Sequence, residues 1–316
     1  MKQFGILVLV ILIILGCTEN KKGKHNSNQQ KIVTNTEPRA GKYFYDILNE
    51  TSFQFSFNQN ENETINKTHV GIEFEISTDS LNQRNIKVKY NKIAMYSKAG
   101  ETVTELDAKN GASSFIPEEK LLNVLLSQQI EYKLDSNGNV IQEVGLQNLR
   151  TNMLQALNSY NINQREQINK QLDQLLAKGF FKDNLDFVLK NYLKDSLKQG
   201  DSWEANSELP GEINFTANSR FHVKDMDGGI ATIIESGDFD SDHLKVPMSI
   251  TNLKASIHGK QSGTHVLDLA TNMLLSTSYS MKGAGMIEMM GREVPIKFKT
   301  QISVKQEGEH NDINGQ

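Results

Sequence analysis

Residues 70–77 read VGIEFEIS, and this stretch indicates the fold class of the chain around it. Apolar side chains occupy its alternate positions, with Glu73 and Glu75 between them. Successive side chains of a strand point to opposite faces, so this period predicts a strand with one buried and one solvated face. Strands of that kind are typical of antiparallel sheets.

The same period of two recurs on both sides of this stretch. It is found in SFQFSF at 52–57, in NIKVKY at 85–90 and, far along the chain, in VPIKFKTQISV at 294–304. We therefore expect strands throughout 42–144 and again throughout 200–305.

Two local signals lie within the first strand region. The dipeptide Asn137-Gly138 accepts the positive φ values of a tight hairpin turn, which predicts paired strands near 129–134 and 139–144. Ahead of them, Pro117 is followed by two glutamates and an apolar run, a pattern that predicts a short helix.

Residues 145–199 change to helical spacing. Breaks at Asn161 and Gly179 divide this segment into three amphipathic helices. The apolar positions that define them are Leu146, Leu149, Met153, Leu157, Ile168, Leu172, Leu175, Leu176, Leu185, Val188, Leu189, Tyr192 and Leu193. The order strands, helices, strands predicts the α+β class, with a curved, half-barrel-like antiparallel sheet packed on a central block of three to four helices in one domain over 41–305.

The first residues, 1–16, have the pattern of a signal peptide. Lys2 precedes an apolar run over 4–15, which as a helix covers about 18 Å of a hydrocarbon core about 30 Å thick, too little to span it. The residues ILGC at 14–17 resemble the bacterial lipobox. This resemblance implies that the peptide is cut before Cys17, that the thiol receives a diacylglyceryl group and that the new amine is acylated, for example with palmitate.

Cys17 is the only cysteine, so an exported domain of this size forms no internal disulfide and its thiol is available for an anchor. An ordinary signal peptide with an incidental cysteine is the alternative. The polar composition predicts a flexible tether over 17–40 and a disordered tail over 306–316. Comparison with lipoprotein families, in view of Thr18 after the cysteine and the lone Glu19, implies the periplasmic face of an outer membrane rather than the cell surface.

Three motifs, in this order, resemble an uncharacterised family of Bacteroidota lipoproteins, a domain of unknown function. They are EYKLDSNGNVIQEVG at 131–145, LKQGDSWEA at 197–205 and GTHVLDLATNMLLSTSYSM at 263–281, and the resemblance covers 40–305. It implies an envelope location and transfers no catalytic residue. A looser architectural likeness is to half-barrel carriers of the LolA kind, which shelter lipid or lipoprotein acyl chains.

Two groups of apolar side chains are candidates for binding a hydrophobic ligand. One is a methionine cluster on a glycine-rich hairpin, and the other is a phenylalanine pair in a helix break. Their members are Met281, Met286, Met289, Met290, Phe180 and Phe181. Methionine side chains adapt their shape, which suits acyl chains or an adaptable partner surface. Packing in an ordinary core is the alternative.

A short acidic run offers weak candidates for a cation site. Asp238, Asp240 and Asp242 share one face of an extended segment. The run does not match an EF-hand, because His243 and Ser249 stand where glycine and glutamate are needed. A solvated loop is the alternative, and we predict no bound metal.

The residues Ser262, His265 and Asp268 have the types of a hydrolytic triad. Residues three apart on a strand project to opposite faces, so His265 does not orient towards both neighbours. A metal site that joins it to His222 and His258 across strands lacks the short spacings typical of histidine pairs.

These observations favour a membrane-anchored envelope lipoprotein without catalysis or cofactor, which binds a lipid or another hydrophobic ligand. A scaffold that binds another envelope protein is the alternative, and a hydrolase is a second one. The net charge of −4 does not suggest a nucleic-acid partner, which usually requires a basic face.

Overall fold

The computed structural model describes residues 18–20, 32–33, 39–57, 60–79, 83–108, 117–134, 140–157, 196–209, 215–244, 253–289 and 292–307. The strands in these ranges are β1 Thr18–Asn20, β2 Ile32–Val33, β3 Gly41–Phe57, β4 Asn60–Thr78, β5 Arg84–Ala99, β6 Thr102–Ala108, β7 Gln129–Leu134, β8 Val140–Val144, β9 Ser196–Leu197, β10 Ser202–Leu209, β11 Phe215–Asp227, β12 Ile230–Leu244, β13 Leu253–Asp268, β14 Met273–Met289 and β15 Arg292–Glu307. The helices are α1 Pro117–Leu126 and α2 Leu146–Ala156. Neither of these helices is long and apolar enough to cross a membrane.

Thirteen strands form one antiparallel sheet. Its order is β1-β10-β11-β12-β13-β14-β15-β3-β4-β5-β7-β8, and β6 also pairs with β5. The strands β2 and β9 form a separate pair. Almost every neighbour in the large sheet is also a neighbour in sequence, so the sheet consists of two meanders, β3 to β8 and β10 to β15.

The expected α+β class is wrong, because the described chain is mostly β. Its two helices have 10 and 11 residues, whereas the long strands of the sheet have up to 19. The helix predicted at Pro117 and the first of the three central helices, from Leu146, are confirmed. The other two predicted helices fall within 158–195, outside the described residues.

The strand predictions are confirmed where the chain is described. The stretch 70–77 lies in β4, and Val70, Phe74 and Ile76 are buried while Glu75 is exposed. The predicted hairpin is also confirmed in its strands, because β7 pairs with β8 from Glu131 opposite Val144.

Short segments of the predicted tether also pair with strands. Thr18 lies opposite Glu208 of β10, and Ile32 lies opposite Leu197 of β9. The signal peptide and the tail over 308–316 fall outside the described residues.

The last strand joins the two meanders. In the pairing of β15 with β3, Ile296 lies opposite Phe55 and Glu307 lies opposite Phe44. At the middle of this seam the buried hydroxyls of Thr51 and Thr300 lie 3.0 Å apart.

One face of the large sheet, here called the inner face, is buried, and the other is the outer face. A single row of directly paired inner-face residues crosses the sheet from β10 to β6. The row consists of Trp203, Phe221, Glu235, Gly263, Tyr279, Ile302, Asn49, Thr68, Met95 and Leu106. The helix α1 packs on β5 and β6 and against α2.

Three tyrosines are buried on the inner face of β3, β5 and β7. Burial raises the pKa of Tyr45, Tyr90 and Tyr132, because the charged phenolate loses its hydration. Within the described ranges, the hydroxyls of Tyr45 and Tyr132 have no hydrogen-bond partner.

We expect the free energy of unfolding to fall as the pH rises above 10. The unfolded chain ionises its tyrosines near the ordinary pKa of 10.0, while the folded chain keeps these three protonated. The stability they contribute is therefore complete below pH 10 and is lost above it, by up to about 1.4 kcal/mol per tyrosine and pH unit. Denaturant titrations at about pH 9 and about pH 11 measure this slope.

The triple variant Tyr45→Phe, Tyr90→Phe, Tyr132→Phe is the control, and its slope should be shallower. A wild-type free energy of unfolding that is equal at both pH values would contradict the prediction.

Candidate functional site

A connected group of polar side chains lies on the inner face, among apolar neighbours. We call it the inner polar cluster, and each of its members has an exposed fraction of 8% or less. Its members are Ser219, Glu235, Gln261, His265, Thr277 and Tyr279, contributed by β11 to β14. Their positions follow from the period of two, because they alternate with outer-face residues along each strand.

Glu235 is the hub of this cluster. Its Oε1 accepts a hydrogen bond of 2.7 Å from the hydroxyl of Ser219 and one of 3.3 Å from the amide of Gln261. Its Oε2 lies 2.9 Å from Nε2 of His265. The carboxylate therefore receives a donor on each oxygen, which offsets part of the cost of burying it.

The remaining members extend the network in both directions. Nδ1 of His265 lies 2.5 Å from the hydroxyl of Thr277, so both ring nitrogens have partners. The hydroxyl of Tyr279 donates to Oε1 of Gln261 at 2.7 Å. Gly263 leaves space for the network, because a Cβ there would come within 2.9 Å of the ring of His265.

Aromatic rings cover a neighbouring part of the inner face. The rings of Phe239 and Phe298 are 5.4 Å apart between centroids, and Phe53 stacks on Phe298 at 6.1 Å. We call these three rings the aromatic bridge. Phe239 and Phe298 lie in one row of directly paired residues across the strands, with Gly259 and Gly283 between them. Because these glycines have no side chain, the two rings contact each other above them. A Cβ on Gly283 would come within 2.7 Å of one ring and 2.8 Å of the other.

Hydrogen bonds connect the hydroxyl of Thr277, the imidazole of His265 and the carboxylate of Glu235 in that order. These are the group types of a hydrolytic site. Thr277 is 2% exposed and His265 is 1% exposed, so a substrate does not reach them in this conformation. An apolar face with a few convergent polar groups is instead the usual chemistry of a site for a hydrophobic small molecule.

The triad considered from the sequence is not assembled. His265 belongs to the inner face, whereas Ser262 is exposed on the outer face. Asp268 accepts hydrogen bonds from the backbone N–H of Ala270 at 2.8 Å and from the hydroxyl of Thr271 at 2.9 Å, so it shapes the turn after β13.

The other two histidines also lie away from His265. His222 and His258 are exposed on the outer face, with Nδ1 of His222 3.0 Å from the hydroxyl of Ser202. Within the described ranges, no three histidine, cysteine, aspartate or glutamate residues come together as a metal site.

The acidic run lies on the outer face of β12, with Asp238 and Asp240 exposed. Nδ1 of His258 is 3.8 Å from a carboxylate oxygen of Asp240. The side chain of Asp242 falls outside the described residues.

The predicted ligand-binding residues divide between the two faces. Met281 is buried on the inner face, and Met286 is 36% exposed on the outer face. Met289 ends β14, and its side chain is not described. The remaining candidates, and the predicted lipidation site, fall outside the described residues: Met290, Phe180, Phe181 and Cys17. Their ligand binding and lipidation stay predictions.

Sequence reasoning missed most of the inner polar cluster. Glu235 follows Ala231 and Ile233 at alternate positions, and Gln261 precedes His265 and Leu267 in the same way. A polar residue in phase with an apolar face is the signal that could have identified them.

The outer face carries a groove of about 780 Å³ between β14 and β6. Two adjacent rows of outer-face residues form its walls. Leu48 lies within it and is 46% exposed, and Nζ of Lys67 forms an ion pair of 2.9 Å with Glu50.

The profile of a family of unknown function, DUF6263, matches residues 82–274. A search of curated proteins finds no match. Among solved structures, the chain is similar to one described as lipid–protein interactions in lipovitellin, with 9% identity and a TM-score of 0.43. That match covers 86% of this chain and 26% of the lipovitellin chain, so this chain spans about a quarter of its length.

Two further solved structures also match over most of their length. The outer membrane protein Omp33 of Acinetobacter baumannii has 7% identity and a TM-score of 0.13. The match covers 85% of this chain and 100% of the Omp33 chain. OccK8 (OprE) of Pseudomonas aeruginosa has 6% identity and a TM-score of 0.16, with 84% of this chain and 98% of that chain covered.

The variant Thr277→Val should lower the free energy of unfolding by about 1–3 kcal/mol, because it takes the Thr277 hydroxyl away from Nδ1 of the buried His265. The change is close in volume, so cavity formation adds little. Thr264→Val, one strand away on the outer face, is the matched control and should change the free energy by less than about 0.5 kcal/mol. Denaturant titration measures both, and equal values for the two variants would contradict the network.

Proposed function

The chain belongs to DUF6263, a family of unknown function, and we propose that this protein is a membrane-anchored cell-envelope lipoprotein that binds a lipid or another hydrophobic molecule on its inner face, without catalysis. The ligand rests against the apolar rows of the sheet, and its polar group meets polar atoms of the same face.

The breadth of the inner face supports this proposal. From β10 to β5 the sheet has nine strands side by side, about 38 Å at a spacing of about 4.8 Å. The helix α1 is about 15 Å long and packs on β5 and β6. In the described chain, α1 and α2 are therefore too short to cover the inner face across β11 to β15, although its side chains there are buried, so a ligand would enter only when this face opens.

Unpartnered polar atoms on this face carry the proposal. The amide Nδ2 of Asn66 and the hydroxyl of Tyr45 are buried and have no hydrogen-bond partner among the residues that the structure describes. The other amide atom of Asn66, Oδ1, accepts a hydrogen bond of 2.8 Å from the hydroxyl of Ser97. A buried donor without an acceptor costs about 1–3 kcal/mol, and a carboxylate or ester oxygen of a lipid would remove that cost.

The anchor is the part of the proposal that rests on sequence. The lipobox resemblance at 14–17 and the short apolar run before it support acylation of Cys17. Two or more acyl chains hold a protein stably on a membrane, which one chain does not. The periplasmic face of an outer membrane is the location that we propose.

An envelope scaffold is the second candidate function, and one observation favours it. The outer-face groove holds Leu48, and the edge strand β8 exposes Ile141 and Val144, at 51% and 48%. Exposed apolar side chains beside a strand edge to which no described strand pairs are typical of protein contacts.

Native mass spectrometry of the purified full chain tests the ligand. Wild type should carry a non-covalent mass that organic extraction removes, whereas acyl chains on Cys17 stay attached. The variant Asn66→Leu should retain that mass at an occupancy about fivefold lower, because the ligand loses a buried donor. Its thermal midpoint should stay close to the wild-type value, because removal of the unpartnered amide offsets the loss of the acceptor for the hydroxyl of Ser97.

Asn218→Leu, on the exposed face of β11, is the matched control and should leave the bound mass unchanged. A wild-type chain that is ligand-free in every preparation would contradict the proposal. A crosslinked protein present in equal amount to the chain would favour the scaffold.

A further inference from the structure

Three lysines lie directly opposite one another on adjacent strands of the outer face. Lys260 of β13 pairs in register with Lys282 of β14, which pairs with Lys299 of β15. We call these three residues the lysine row. All three are exposed, and Lys297 is exposed two positions before Lys299 on the same face.

Like charges directly opposite each other destabilise a sheet, so this arrangement opposes folding stability. Three other lysines of the outer face have carboxylate partners. These ion pairs are Lys42–Glu73 at 2.7 Å, Lys67–Glu50 at 2.9 Å and Lys87–Glu75 at 3.2 Å. Among the described residues the lysine row forms no ion pair, although Asp238 lies opposite Lys260 at one end.

Neutral hydrogen-bonding groups border the row along one side. The next outer-face row on one side consists of Ser262, Ser280 and Gln301, which pair with one another in the same order. On the other side, Ala284 lies between His258 and Lys297. The result is a cationic strip bordered on one side by hydroxyls and an amide, with Asp238 at one end.

This combination matches the chemistry of phosphate. Strand spacing of about 4.8 Å makes the row about 10 Å long, enough for more than one phosphate group. Lysine ammonium groups bind phosphate as point charges, and neighbouring hydroxyls donate hydrogen bonds to its oxygens. Bound phosphate also removes the repulsion between the three lysines.

We propose that the lysine row binds the phosphate groups of anionic lipid headgroups, so that the outer face of β13 to β15 rests on the membrane surface. The choice of lipid over a soluble phosphate compound rests on the proposed membrane anchor. Each lysine near an anionic surface contributes about fivefold to the binding constant, and the contribution falls with salt.

Lysine footprinting on the anchored full chain tests this proposal. The protein is reconstituted in vesicles of phosphatidylcholine alone or with about 30% phosphatidylglycerol, and an amine-reactive reagent with mass spectrometry gives the labelling rate of each lysine. Labelling of the lysine row should be about threefold slower on the anionic vesicles and should recover at about 0.5 M salt. The ion-paired Lys42, Lys67 and Lys87 are the internal control and should not change.

Inorganic phosphate on phosphatidylcholine vesicles separates the two sources of phosphate. Protection by inorganic phosphate without protection by anionic lipid would overturn the lipid assignment. Equal labelling of the row under all conditions would overturn the proposal as a whole.

The mass of the N-terminal peptide, read in the same samples, reports acylation of Cys17 and so tests the anchor separately. If the chain carries no acyl group, flotation of the full chain with the two vesicle types tests the row instead. The full chain should then bind anionic vesicles. The triple variant Lys260→Gln, Lys282→Gln, Lys299→Gln should weaken this binding at least about tenfold, which would support the proposed role of the lysine row. The control is the triple variant Lys42→Gln, Lys67→Gln, Lys87→Gln, which changes the net charge by the same amount. If the control weakens vesicle binding equally, the proposal for the lysine row is overturned.

Discussion

The backbone pairing of β15 with β3 is the constraint on which the rest of the structure depends. It joins residues about 250 positions apart, such as Thr300 and Thr51, and so combines two meanders into one sheet. Without it the row from Trp203 to Leu106 would end at Ile302. A contact of such high sequence separation costs chain entropy when it forms. We expect it to form late, after the local hairpins on each side, whose pairing requires shorter loops.

The inner face created by this seam combines two kinds of surface. Its apolar rows and the aromatic bridge provide the hydrophobic driving force for folding and, in our proposal, for binding. The inner polar cluster places a carboxylate and an imidazole among these apolar rows. Both groups are tolerated in the buried face because their described donors and acceptors have hydrogen-bond partners. Asn66 and Tyr45 differ, since each has a buried polar atom without a hydrogen-bond partner in the described part of the chain. The same face therefore has a satisfied polar cluster and, apart from it, two separate polar atoms without a partner in the described chain.

Much of the sheet could be predicted from the sequence, because a period of two in 70–77 or 294–304 is a local property. The hairpin strands of β7 and β8 and the helix from Pro117 were predictable for the same reason. The predicted α+β fold class was wrong for two reasons. The helical spacing in 145–199 was interpreted as a complete layer of helices, and no local sequence pattern indicates that β15 pairs with β3. The inner polar cluster was missed, since its members meet only across strands. The lysine row was likewise invisible until the register placed Lys282 between Lys260 and Lys299.

In our account the two faces therefore have different roles. The inner face binds a hydrophobic ligand, and the outer face of β13 to β15 contacts the membrane to which the lipid anchor attaches the chain. The claim about the inner face is the central one. A high-resolution crystal structure of the full chain, purified without organic extraction, tests it most directly. The account predicts continuous density for an elongated molecule against the inner face, with an oxygen within hydrogen-bond distance of Nδ2 of Asn66. An inner face packed only by the protein's own side chains, with Asn66 paired to one of them, would contradict it.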